Sequence, residues 1–338
     1  MRPWSTLRAL FALAGIVSAP GARAAGPALH CVKTPADLLV ALSAASSEDD
    51  VEVRVVAGIY PMPASFGLDY QGTGNARVSG GWDNYCVHQT PNTLLTLLQP
   101  VAGGQPIGAT FEAMKGDLEI DTLTFQDMKY GVLVRLGEQD GWSPYHRARV
   151  TNSAFLRDGS VRVERADGPD CDRFMDIQFL NNLVADSQDG VLATEITGCW
   201  HDAVGVVHST FANSVGAALG LYGSGWPAVV NSAFSHDAAT VVWSPGGQLF
   251  YFCGNVGDNL TGYGWAECAP GQNLDADPQL GFTFLPLPGS PVVDFGRTPQ
   301  QMAQYDVAYP DFDLTGGSRF VGPRPDAGAY EVQQACTP

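Results

Sequence analysis

Apolar and polar positions alternate in short runs along the middle of the chain, and the runs recur. Six segments align: 118–125, 148–155, 177–184, 204–211, 227–234 and 249–256. Their last residues are Phe125, Phe155, Val184, Phe211, Phe234 and Val256, separated by 30, 29, 27, 23 and 22 residues. Self-similarity at that period marks a solenoid, and the varying period marks coils that share strands and differ in loop length. The first position reads Leu118, Ala148, Ile177, Val204, Pro227, Leu249, and the third Ile120, Val150, Phe179, Val206, Val229, Tyr251. The second is mixed: Glu119, Arg149, Gln178, Gly205, Ala228, Phe250. A period of two is that of a half-buried strand. The fifth position reads Thr122, Asn152, Asn181, His208, Asn231, Cys253. Asn tolerates the left-handed backbone of a bend, and stacked Asn side chains can hydrogen-bond from coil to coil.

A second strand follows each bend, as in 131–134, 159–163, 190–194, 216–221 and 238–243, with Asp158-Gly159 and Asp189-Gly190 as turn dipeptides. Parallel strands need crossovers, which stacked coils supply. The pattern therefore predicts an all-β fold, a right-handed parallel β-helix, with the phenylalanines as one internal stack. Residues 34–46 read as a helix, with Thr34 as N-cap, Pro35 in the first turn, and Leu38, Leu39, Ala41 and Leu42 as the apolar face. It is expected to cap the N-terminal end. The strand-like 51–60 and 77–82 follow, then partial coils over 91–115. The expected organisation is a leader at 1–24, an N-terminal cap and first coils at 25–115, central coils at 116–275, and an irregular C-terminal end cap at 276–338.

The leader has Arg2 and Arg8 before an apolar run at 7–19, then Ala22-Arg23-Ala24, so cleavage is expected before Ala25. The run is too short to span a bilayer, and no later segment is long and apolar enough. A secreted protein, extracellular or periplasmic, is the expectation. Cleavage removes three arginines and leaves 15 basic against 35 acidic residues. Such a chain repels nucleic acid and favours a neutral polysaccharide over a polyuronate. Seven cysteines in a secreted chain read as disulfides. Coil spacing pairs Cys171 with Cys199; Cys31–Cys86 and Cys253–Cys268 are the other expected pairs, and Cys336 is left over. No His or Cys cluster has zinc spacing, so no metal or cofactor is expected.

Residues 34–60 and the SGGW of 79–82 resemble the entry coils of bacterial β-helix proteins of the pectate-lyase-like superfamily. The blocks ADPQL (276–280), PLPGSPVVDFG (286–296), FDLTGG (312–317) and RPDAGAYE (324–331) stand in the order of the end of the choice-of-anchor Q family, which they resemble. The resemblance implies a secreted or surface β-helix of a group with no assigned common activity. Such proteins often carry a sorting tail after the last block; seven residues follow Glu331 here, which favours a freely secreted or periplasmic protein. Arg319 and Arg324 among Asp294, Asp313, Asp326 and Glu331 predict charges paired within the cap.

Strand register offers one chemical candidate. Glu164 and Glu195 each follow a coil glycine by five residues, which would stack them at about 4.8 Å, near the carboxyl spacing of retaining glycosidases. The same logic stacks Asp158 on Asp189, with Asp237 two coils on. Turn chemistry and solvation explain these acids as well. His208 sits in the Asn column, where it reads as a bend residue rather than a base. Trp142, Tyr145, Trp200, Tyr222, Trp226 and Trp243 fall in or beside the loops after the second strand. Their rings would either line one edge and stack on sugars or pack onto neighbouring loops. The sequence thus predicts a monomeric, non-catalytic β-helix that binds a glycan or supports a cell-surface structure. A polysaccharide lyase or glycosidase, and a purely structural stalk or adhesin, are the alternatives.

Overall fold

The structure, a computed structural model, describes residues 26–137, 145–165, 174–196, 203–223, 226–243, 251–260, 266–267, 272–303 and 308–333. The leader at 1–24 lies outside them, as do Cys171, Cys199, Cys268 and Cys336. The chain is a parallel β-solenoid of about seven turns. Its strands form three sheets, of ten, nine and seven strands. One coil shows the plan. Strand Tyr145–Thr151 lies in the first sheet, Ala154–Leu156 in the second and Val161–Arg165 in the third. Every ladder between named strands is parallel, because each strand meets only its counterparts one coil before and one coil after.

Two corners per coil are turned by left-handed residues. Between the first and second sheets they are Thr122, Asn152, Asn181, His208, Asn231 and Gly254. Between the second and third they are Asp127, Arg157, Asp186, Asn213 and His236. The first column matches the sequence expectation at every coil but the last. There Gly254, with φ +70°, takes the bend instead of Cys253. Phe252 then pairs with Val229 and Cys253 with Val230, one residue on from the sequence alignment. Glycine carries no Cβ to penalise the turn, and the helical repeat shifts to use it.

The aromatic stack forms and is longer than the sequence predicts. Phe125 lies on Phe155 at 5.3 Å between ring centroids, and Phe211 on Phe234 at 5.1 Å. Val184 occupies the column between Phe155 and Phe211. Its small side chain leaves room for Phe179, from the first sheet, which stands 5.9 Å from Phe155 and 6.4 Å from Phe211. Phe66 and Phe111 extend the row towards the N-terminus, and Phe252 towards the C-terminus.

The N-terminal opening is closed by helix α1, Pro35–Ala45. Thr34 accepts the N–H of Asp37 at 3.1 Å, and Pro35 opens the first turn. Leu38, Ala41, Leu42 and Ala45 join the core, whereas Leu39 is exposed. The buried set is spaced i, i+3, i+4, i+7, and Leu39 falls off that stripe. Strand Ala28–Val32 precedes the helix and pairs with Val51–Val56. The predicted disulfide Cys31–Cys86 is present, with a Cα separation of 5.8 Å. Cys253 is also disulfide-bonded.

The irregular C-terminal cap does more than close the last coil. It runs back along the flank of the solenoid. Met302, Ala308 and Tyr309 cover Leu180, Val207, Val230 and Cys253 on the outer face of the first sheet. Leu314, Ala329 and Tyr330 cover Ala154, Leu183 and Ala212 on the second. Between them the cap grips the Asn corner. Asn231 donates to the carbonyl of Arg297 at 3.0 Å and accepts its N–H at 2.6 Å. Asn181 bonds Asn152 at 2.7 Å, and its carbonyl oxygen accepts the guanidinium of Arg319. Arg319 is buried, 3.8 Å from Glu331, and also donates to the carbonyls of Gly328, Ala329 and Tyr330. Burial pushes the Glu331 carboxyl up to about 7. Arg324, the other predicted charge partner, donates to the carbonyls of Phe295 and Gly296.

Two measurements check this architecture. Phe179→Ala is expected to lower the unfolding free energy by about 3–5 kcal/mol in chemical denaturation. Phe282→Ala, at a fully exposed ring, should stay within about 0.5 kcal/mol of the parent. The second concerns Asp158 at the second corner, whose Oδ1 accepts the N–H of Met128 at 2.7 Å while the buried Oδ2 has no partner. Burial pushes this carboxyl up to about 8, partly opposed by the Met128 hydrogen bond. The folded chain thus keeps a proton that the unfolded chain releases near the ordinary carboxyl range. The resulting stabilisation is complete below pH about 4 and is lost as pH rises through about 8. Asp158→Asn should flatten the fall in stability across that window, followed by melts at fixed pH intervals.

Candidate functional site

Carboxylates at coil-equivalent positions do not converge where the sequence placed them. Glu164 pairs in register with Thr194, not Glu195. The turn from Asp186 to Val191 holds one residue more than that from Arg157 to Val161, which moves the second glycine out of step. Glu164 is instead held by Arg135 on the neighbouring strand at 3.2 Å, and Arg135 also faces Glu112 at 3.5 Å. The same extra residue takes Asp189 out of the Asp158 column. Asp158 shares that column with Ser187, Ser214 and Asp237: each follows the left-handed residue of its coil. His208 turns a bend, as expected, with φ 48°. It is buried, its ring lies 3.0 Å from the Asn231 amide, and burial holds its pKa well below the usual histidine range.

The outer face of the first sheet carries the most developed polar surface. Across the strands the rungs read Glu52, Arg77, Glu119, Arg149 and Gln178, each opposite the next in register. All but Gln178 line two adjoining clefts of about 460 and 300 Å³ that share Arg77 and Glu119. The first also includes Asp50, Asn75, Asp117 and Arg147, where the strands begin. The second runs on between Gln89 and Pro91 on one side and Tyr309–Phe312 of the cap on the other. The Cys31–Cys86 disulfide ties the 83–92 loop to the first strand. Arg54 reinforces it by donating to the Cys86 carbonyl at 2.7 Å while lying 4.0 Å above the Trp82 ring.

Arg77 is the electrostatic centre of the groove. It meets Asp121 at 2.7 Å, and Glu52 and Glu119 each at 3.4 Å. Burial works against its charge, and Asp121 and Glu119 more than offset that, so its pKa is raised. Asp121 is fully engaged. It accepts from Arg77 and Gln89 on one oxygen and from Thr151 and Asn152 on the other, at 2.7–3.0 Å. Glu119 receives the weaker share of Arg77. Burial pushes its carboxyl above the usual range, opposed by Arg77. It is 36% exposed and so offers the groove a partly accessible carboxyl. Further along, Arg147 pairs with Asp176 at 2.7 Å, and Arg149 donates to Gln178 at 3.0 Å.

The described aromatic positions lie on the same side of the solenoid as the start of the groove strands but further along its axis, Trp226 three strands beyond Tyr145–Thr151 in the first sheet. Tyr222 and Trp243 lie in strands Ala217–Gly223 and Ala239–Trp243 of the third sheet, and Trp226 opens Trp226–Val230 of the first. All three therefore sit at the corner where the third sheet passes to the first, the corner from which the groove strands start. Trp142 and Trp200 lie outside the described residues, and of Tyr222, Trp226 and Trp243 only the backbone is described. The groove residues themselves escaped sequence reasoning. Glu119, Arg149 and Gln178 were visible as a mixed second column, but Glu52 and Arg77 precede the clear repeat. Nothing in the spacing tied them to it. No protein-family model, no curated protein and no solved structure matches this chain.

Proposed function

We propose that the protein is a non-catalytic, secreted β-helix that binds a neutral polysaccharide along the outer face of its first sheet. The observation that carries this reading is the groove of alternating acidic and basic rungs centred on Arg77 and Glu119. Its spacing is that of the strands, about 4.8 Å, close to the span of one pyranose unit, so successive rungs can meet successive sugars. Four carboxylates (Asp50, Glu52, Asp117, Glu119) stand with three arginines (Arg77, Arg147, Arg149) in the larger cleft. That near balance, in a chain of net charge −17, suits hydroxyl groups better than uronate carboxylates. Paired Arg and Glu side chains supply both donors and acceptors. Aromatic residues further along the same corner would extend such a surface with flat apolar faces. The resemblance to pectate-lyase-like and choice-of-anchor Q proteins is in keeping with a secreted β-helix and assigns no activity.

An enzymatic reading rests on one feature. Glu119, with its raised pKa, stands two residues before Asp121 on the same strand, and Asp121 is held by four hydrogen bonds. Two carboxyls in unlike environments divide acid and base roles in glycosidases. One set of assays separates the readings. Arg77→Ala and Glu119→Gln should each weaken binding to neutral polysaccharide by about tenfold, and Trp226→Ala should weaken it further, measured by affinity electrophoresis against a panel of glycans. Reducing-sugar release that Glu119→Gln abolishes would instead establish the enzyme. Parent protein that binds no glycan and releases none leaves the structural stalk.

A further inference from the structure

The second corner of the solenoid pairs side chains from coil to coil, and at its C-terminal end it gathers a histidine and two carboxylates. Left-handed residues there bond from coil to coil in twos. Arg157 meets Asp127 at 2.8 Å, and Asn213 meets Asp186 at 2.9 Å. In the next coils left-handed His236 faces Asp258, a residue that stands in register with Ser235 rather than at the corner itself, at 3.8 Å between Nε2 and Oδ2, too far for a hydrogen bond. A second carboxylate, Asp277 at the root of the C-terminal cap, approaches the same gap. Ligand atoms of His236, Asp258 and Asp277 all lie within 4.8 Å of one another. Two carboxylates beside one imidazole are left with an excess of negative charge that no arginine or lysine is seen to neutralise among the described ion pairs.

The three donors are held from behind. Nδ1 of His236 lies 2.9 Å from the buried Ser235 hydroxyl, which fixes the ring with Nε2 facing the gap. Asp258 accepts the N–H of His236 at 2.9 Å, and Asp277 accepts that of Gln279 at 2.8 Å. Outer hydrogen bonds of this kind orient metal ligands. Asp237 lines the same cleft, 7% exposed, with its Oδ2 buried and unpartnered. We propose that His236, Asp258 and Asp277 bind a divalent transition-metal ion of the Zn²⁺ type, which clasps the start of the C-terminal cap to the last coils. One nitrogen and two carboxylate oxygens suit Zn²⁺; Ca²⁺ prefers oxygen ligands throughout. Donors about 2.0–2.2 Å from such an ion would require the three side chains to draw together from their present separation of up to 4.8 Å. Sequence spacing hid the site, because its ligands come from two coils and the cap.

Titration of the purified full-length mature protein with Zn²⁺ alone, by calorimetry and by thermal melts, tests the clasp. Zn²⁺ is expected to bind at one site and to raise the melting temperature, since it binds the folded chain. His236→Gln and Asp277→Asn should each weaken the affinity by at least about tenfold and remove the shift. His88→Gln, at an exposed histidine elsewhere, should change neither. Absence of binding, or binding undiminished in both site variants, overturns the proposal. Ca²⁺ binding as tight as that of Zn²⁺ and unchanged in His236→Gln overturns the nitrogen-containing site.

Discussion

Everything in this protein depends on the register of one coil upon the next. A strand in the solenoid has no partner within its own coil. Its backbone groups are satisfied only by the equivalent strands above and below. The three sheets therefore advance together, and the first corner must turn the chain within two residues, as between Thr151 and Ala154. Left-handed residues there meet that demand, with φ from 46° to 57° across Thr122, Asn152, Asn181, His208 and Asn231. Inward side chains then fall into columns, and the phenylalanine row follows. Where one coil has only Val184 in the row, Phe179 fills the space from another sheet. Volume is conserved although the column is not.

The cap turns this tube into a molecule with distinct faces. On the outer face of the first sheet one column changes character along the chain: Asp121 and Thr151, then Leu180, Val207, Val230 and Cys253. The polar members lie in the open groove, and the apolar ones lie under Met302, Ala308 and Tyr309. The cap is anchored at the corner through Asn181 and Asn231, so the residues that bend the coils also hold the flank. Burying Arg319 costs desolvation, which is offset by three backbone carbonyls, Asn181 and Glu331. The groove ends where this covering begins, with Tyr309–Phe312 as its wall.

Coil-to-coil stacking also decides how charges behave. On the open sheet face, opposite charges fall on adjacent rungs, and Arg77 serves three carboxylates at once. At the buried second corner, Asp158 and Asp237 follow each other in a column with Ser187 and Ser214 and no cation, and their carboxyls are pushed up by burial, to about 8 and about 6. The same repeat therefore yields an ion-paired groove on one side and buried carboxyls with raised pKa values on another.

The sequence by itself determined the solenoid, because the period-two alternation and the bend column are local properties repeated at every coil. Thr34, Pro35 and the i, i+4 apolar stripe likewise determined the capping helix, and coil spacing was unnecessary for Cys31–Cys86. Register was legible to the residue in the first two sheets as far as Asn231, and was lost in the third sheet and the last coil. One extra residue after Asp186 parted Glu164 from Glu195, and Gly254 displaced Cys253 from the bend, because hydrogen bonding between coils accommodates insertions in turns that a fixed offset cannot represent. The groove was legible only as a mixed column, since its partners Glu52, Arg77 and Gln89 come from coils and a disulfide-held loop outside the clear repeat. The path of the cap belongs to tertiary structure alone. Its Pro- and Gly-rich segments have no periodicity, and what places them is the shape and polarity of a surface that exists only once the coils have stacked.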